Sequence, residues 1–92
     1  MTIAAINHQV ADYDAWKAVF DEFPPSEGGA LFHRINRGVD DPNNITVVMG
    51  FQSPDAARAF VENPDLKKAM GRAGVTSAPR VELYEEVEAN QY

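Results

Sequence analysis

Cysteine is absent from the 92 residues, which rules out disulfide cross-links and thiolate metal sites and removes redox chemistry as a guide to compartment. Basic residues are few: eight Lys and Arg stand against fourteen Asp and Glu, for a formal charge of −6. Phosphate backbones and anionic membranes are held by clustered Lys and Arg, and here the basic residues are scattered, so neither is an expected partner. No apolar run approaches the length of a membrane span, and Thr2 to Val10 has neither the basic flank nor the apolar stretch of a secretion signal. Cytoplasmic residence is the default expectation. Glycine-rich phosphate loops and nucleophile elbows are missing too, because Gly28-Gly29 lies between a proline-terminated helix and a strand. No nucleotide or other cofactor is expected.

What the chain does contain is enough apolar material for a core: 45% hydrophobic residues against 24% charged. A chain this short buries only about 60–65% of the surface its unfolded form exposes, so further burial by self-association is expected.

Local patterns divide residues 1–88 into six elements of one domain, followed by a tail at 89–92. Thr2 to Val10 is β-compatible, and Asp12 is placed to cap a helix behind it. Tyr13, Trp16, Val19, Phe20 and Phe23 recur at three and four residues, giving that helix one aromatic face. Pro24-Pro25 ends it. The run Ala30 to Arg37 alternates with a strand period, and the turn formers from Gly38 to Asn44 separate it from a second strand, Ile45 to Gln52. Pairing of 36 with 46 and 34 with 48 makes these an antiparallel hairpin. Ser53-Pro54-Asp55 opens a helix that Asn63-Pro64 interrupts before a second amphipathic piece, and Arg80 to Glu88 forms the last strand.

Strand, helix, strand, taken twice, predicts an α+β fold: a ferredoxin-like βαββαβ sandwich with a four-stranded antiparallel sheet and helices on one face. The other face is then bare, with Ile6, Phe32, Val48 and Tyr84 on it. Such a face calls for a partner, and a homodimer packed sheet on sheet is the economical one.

With this order of elements, Val10 to Lys17, the strand ending Met49-Gly50-Phe51-Gln52-Ser53, Pro64 to Met70 and the acidic last strand resemble the dimeric α+β barrel superfamily, which contains antibiotic-biosynthesis monooxygenase-like proteins and small polyketide cyclases. The resemblance covers nearly the whole chain. It implies a homodimeric barrel with a pocket between sheet and helices in each subunit, and an Asn on the first strand pointing into that pocket, where Asn7 falls. It also implies an activity class: cofactor-independent oxygenation or cyclisation of an aromatic or polyketide-like compound. The haem-degrading branch has an iron-binding His on the second helix, whereas no residue from Pro54 to Ala73 is His here, and Phe51 stands where related strands carry Trp.

The hairpin register places His33 with Leu31, Ile35, Val47, Met49 and Phe51 on the helix-facing side. If Ile3, Ala5 and Asn7 share that side, the cleft holds one amide and one imidazole beneath Tyr13 and Trp16. Asn7 and His33 are then the catalytic candidates, Asn7 stabilising a developing oxyanion and His33 moving protons near neutral pH. Tyr13, Trp16, Met49 and Phe51 are the candidates for substrate contact, the ligand being a small hydrophobic or aromatic molecule. The competing reading is that all six are satisfied structural groups of a non-catalytic binding or structural dimer. On this parity His8 and Arg34 face the bare side, and His8, His33, Asp12 and Asp14 lack the spacing of a metal site.

Overall fold

The computed structural model describes residues 1–92. In chain order the elements are β1 (Thr2–Gln9), α1 (Tyr13–Glu22), a 3-10 turn (Pro25–Gly28), β2 (Phe32–Arg37), β3 (Asn44–Phe51), α2 (Pro54–Val61), α3 (Pro64–Arg72) and β4 (Arg80–Glu85). The strands form one antiparallel sheet in the order β2-β3-β1-β4, with β1 and β3 central. This is the expected α+β, ferredoxin-like arrangement.

Each helix starts where its sequence provides an acceptor for an orphan N–H. The Asp12 carboxylate accepts from the Ala15 N–H at 2.9 Å, the Ser53 hydroxyl oxygen from Ala56 at 3.1 Å, and the Asn63 side-chain oxygen from Asp65 at 2.9 Å. Pro54 and Pro64 follow their caps at the first helical position, where no N–H is needed. The stop at Pro24-Pro25 runs on as the 3-10 turn, which closes at Gly29 with φ of 96°, a left-handed conformation that favours glycine. That turn draws in the backbone N–H of Ala30, so β2 begins at Phe32, two residues later than the alternation suggests. At the other end of the chain β4 stops at Glu85, not Glu88. Its sole partner strand, β1, begins at Thr2, opposite Glu85, and one further bond, from the Glu86 N–H to the Met1 carbonyl at 3.0 Å, ends the pairing.

The hairpin register is as read from the sequence, with Arg34 opposite Val48 and Asn36 opposite Thr46. The parity of β1 is not. Ile6 lies opposite Val47 and Asn7 opposite Thr46, and directly opposed residues share a face. Because Ile45, Val47 and Met49 are buried beneath the helices, Ala4, Ile6 and His8 are the helix-facing residues of β1. Asn7 therefore lies on the bare face with Ile3 and Ala5, while Ile6 and His8 point inward, the reverse of the expectation for each. Phe32, Val48 and Tyr84 are on the bare face as expected.

The core is Ala4, Ile6, Val10, Trp16, Ile45, Val47, Met49, Phe51, Ala57 and Ala73, all between the sheet and the helices. Arg34 and Glu82 occupy the two opposite edge strands and do not meet within one chain: Arg34 lies over the Phe32 ring, and Glu82 accepts from Arg80 at 2.7 Å and from the Tyr84 hydroxyl. The Tyr84 hydrogen bond, supported by Arg80, holds the Glu82 carboxyl below its ordinary range.

Candidate functional site

Between the sheet and the helices lies a cavity of about 60 Å³. Its floor is Ile6 and His8 from β1 with Val47 and Met49 from β3, and its walls are Trp16, Val19, Phe20 and Phe23 from α1, Phe60 from α2 and Leu66 and Met70 from α3. A wider groove on the outer surface shares Phe23, Phe60, Leu66 and Ala69 with it, so the cavity opens between the end of α1 and the side of α3. Arg72 and Glu22 form an ion pair at 3.1 Å beside this opening, with the Arg72 guanidinium over the Phe23 ring. Gly28 is required at the rim, because a Cβ there would come within 2.6 Å of the Phe60 ring.

Of the residues singled out by sequence, Trp16 and Met49 line the cavity. Trp16 is 3% exposed and stacks on Phe20 at 5.1 Å between ring centroids. Tyr13 lies outside it, between Trp16 and the Arg37 guanidinium, which sits 4.0 Å from the Tyr13 ring centre. Phe51 is fully buried behind Phe60 and does not reach the cavity wall. His33 is on the helix-facing side, as its register requires, but on the edge strand it is exposed, and the Phe20 ring, 5.1 Å from it, stands between it and the interior. Asn7 is on the far side of the sheet. There its side-chain N–H group donates to Asn44 at 2.9 Å and Thr46 at 2.8 Å, so its amide nitrogen is occupied. The amide and the imidazole expected to share a cleft are separated by the sheet.

His8 is the residue the sequence reading missed. It is 4% exposed, its ring packs 5.9 Å from Trp16, and neither ring nitrogen has a hydrogen-bond partner. A buried polar atom left this way costs about 1–3 kcal/mol. Burial also strips water from the charged form and lowers the pKa of His8 from its ordinary value, so the ring is neutral at pH 7, with one N–H donor and one bare acceptor. No group of three or more His, Cys, Asp or Glu side chains is placed to hold a metal ion.

The sign of the pH effect follows from that shift. The unfolded chain takes up a proton at His8 near its ordinary pKa of about 6.5, whereas the folded chain does so only at lower pH. Between those points the unfolded state binds more protons, so stability falls as pH drops below about 6.5 and is independent of His8 above it. Thermal unfolding from pH 7.5 to 5.0 should show a shallower acid loss in His8→Phe than in the wild type. At pH 7.5 the variant should be no less stable, since an apolar ring replaces an unpartnered polar one. An unchanged acid slope in the variant would remove His8 as its source.

No known family profile matches this sequence, and no curated protein matches it. Solved structures do. A candidate antibiotic biosynthesis monooxygenase from Deinococcus radiodurans superposes with a TM-score of 0.74 at 15% identity, over 100% of this chain and 98% of that one. One from Nitrosomonas europaea gives 0.73 at 16% identity, over 96% and 100%. SnoaB, a cofactor-independent oxygenase from Streptomyces nogalater, gives 0.70 at 16% identity, over 96% and 95%. At these identities the likeness is one of architecture, and it extends end to end: the chain has the ferredoxin-like α+β fold of the antibiotic biosynthesis monooxygenase structures.

Proposed function

We propose that this protein binds a small aromatic or polyketide-like molecule in the cavity between sheet and helices and acts on it as a cofactor-independent monooxygenase or a cyclase, working as a cytoplasmic homodimer. The observation that carries this reading is the apolar cavity itself, walled by four aromatic rings and opening to an outer groove, in a fold that SnoaB also has. Flat apolar ligands favour such a lining.

Proton abstraction falls to His8 in this reading, as the one titratable side chain on the cavity wall. The imidazole takes a proton from an enolisable carbon, and the resulting enolate meets either dioxygen or a carbonyl of the same molecule. In the oxygenation, one oxygen atom stays on that carbon and the other leaves as water with the carbon's two hydrogens.

An oxygen electrode tests this with an enolisable hydroxyaromatic ketone as substrate and no added flavin or metal. Oxygen uptake, or conversion to a cyclised isomer, is expected from the wild type and should fall at least about 100-fold in His8→Phe, the scale of general-base catalysis. A second reading, a non-catalytic ligand-binding dimer, is favoured by one observation: no neighbouring group hydrogen-bonds His8 to hold its tautomer. Binding of the ketone without uptake or cyclisation would establish that reading.

A further inference from the structure

We propose that a second copy of the chain packs on the bare sheet face about a two-fold axis parallel to the strands, and that Arg34 of each subunit forms an ion pair with the partner's Glu82. The inference rests on the homodimer proposed above and goes beyond it, because it fixes which edge of one sheet meets which edge of the other.

The register aligns the four strands in rows across this face. One row runs Arg34, Val48, Ala5, Glu82 from β2 to β4. It is apolar in the middle, with a cation at one edge and an anion at the other. Arg34 is exposed, and its guanidinium lies 4.5 Å from the Phe32 ring centre with no hydrogen bond or ion pair within the chain. Glu82 is already oriented, one carboxylate oxygen accepting from Arg80 and the other from the Tyr84 hydroxyl. A carboxylate has about four acceptor sites, so it can take a further donor.

Two aligned sheets can be related by an axis across the strands or by one along them. An axis across the strands lays β2 on the same strand of the second copy. Strand β2 brings Phe32, Arg34 and Asn36 to this face, none of them acidic, so two guanidinium groups would be covered together without a countercharge. An axis along the strands, between β3 and β1, lays β2 on β4 of the second copy. The charged row then meets itself reversed, with Arg34 on the partner's Glu82, Glu82 on the partner's Arg34, and Val48 against the partner's Ala5. The next row, Phe32, Gly50, Ile3 and Tyr84, reverses in the same way and sets Phe32 on the partner's Tyr84. The face is complementary to itself in this arrangement, as a two-fold contact requires.

Sedimentation equilibrium on each variant gives the dimer dissociation constant, with circular dichroism to establish folding. Arg34→Glu and Glu82→Arg should each weaken the dimer at least about 100-fold, because each turns both pairs into like-charge contacts. An equimolar mixture of the two variants should dimerise about as well as the wild type, since the mixed dimer again sets a cation against an anion at both contacts. The double reversal R34E/E82R in one chain should do the same. Arg34→Gln and Glu82→Gln introduce no repulsion, and their combined loss should be smaller than the sum of the two single losses. A folded single reversal that dimerises like the wild type, or Gln variants whose losses simply add, would overturn the pairing while leaving the dimer. A wild type that is monomeric would overturn the homodimer and this inference with it.

Discussion

Trp16→Ala should lose about 3–5 kcal/mol of folding stability, the range for truncating a large buried aromatic. Trp16 is 3% exposed and is the ring around which the helix side of the molecule is assembled: Phe20, Tyr13 and His8 lie 5.1, 5.8 and 5.9 Å from it, centroid to centroid. It also borders the existing cavity, so its removal would merge two voids rather than open a small one. Because a domain of this kind has only about 5–15 kcal/mol in total, much of the stability is at stake. Trp16→Phe keeps a ring in the stack and should lose less than half as much. Urea unfolding followed by circular dichroism is the measurement, since the chain has a single tryptophan and the variant has no indole fluorescence to follow. A loss below about 1 kcal/mol for Trp16→Ala would mean that the helix layer packs without its central ring.

How far the sequence could be read depended on whether the deciding interaction was local. Helix starts were legible because each depends on one side chain and an N–H two or three residues on, as with Asp12 and Ala15. The β2–β3 register was legible because a short turn ties the strands together and because β3 is one-sided, with Ile45, Val47, Met49 and Phe51 all buried. The 3-10 turn at Pro25–Gly28 was missed because its residues also suit a plain loop.

Strand β1 was a different matter. Its two faces, Ala4, Ile6 and His8 against Ile3, Ala5 and Asn7, each offer two apolar residues and one polar one, so alternation alone does not say which faces the core. A pairing with residues some forty positions away decides it, setting Asn7 beside Thr46 and Ile6 beside Val47. One signal was available. Asn7 has hydrogen-bonding company on the bare face of β3, in Asn44 and Thr46, whereas the inward face of β3 has none to give. An amide with four hydrogen-bonding sites belongs with the former. A neutral imidazole, half apolar by surface, can be buried at lower cost. The one-residue error exchanged Asn7 for His8 in the candidate site, and with it the chemistry: an oxyanion donor was expected where the cavity has a neutral imidazole.

Val48→Asp should convert the proposed homodimer to a monomer. Val48 sits within the bare face, between Ala5 on β1 and Arg34 on β2, amid Ile3, Phe32 and the half-exposed Tyr84. The Phe32 ring and the Met1 side chain fold over Gly50, where a Cβ would come within 2.8 Å of either, so this part of the sheet is covered by apolar side chains, with the Arg34 guanidinium lying over the Phe32 ring. Stable interfaces bury about 800 Å² per partner, and the sheet face, with Ile3, Ala5, Phe32, Val48 and Tyr84 on it, is the side the helices leave uncovered. In a two-fold contact near its centre, an Asp at 48 would lie close to its own copy, so two carboxylates would be desolvated together with only Arg34, its cross-strand neighbour, as countercharge. Within one chain the same change costs only about 1 kcal/mol, the span of strand propensities. Circular dichroism should therefore stay that of the folded protein while sedimentation velocity falls from twice the chain mass to one. A wild type that sediments as a monomer at tens of micromolar would refute the dimer, and a Val48→Asp dimer would move the interface elsewhere. The polar end of the face is compatible with burial in such a contact: the Asn7 amide N–H group already donates within the chain, to Asn44 and Thr46. Covering these groups would leave no orphaned Asn7 donor there, whereas the Arg34 guanidinium, which shares the face and has no hydrogen bond or ion pair within the chain, would need a partner from the second copy.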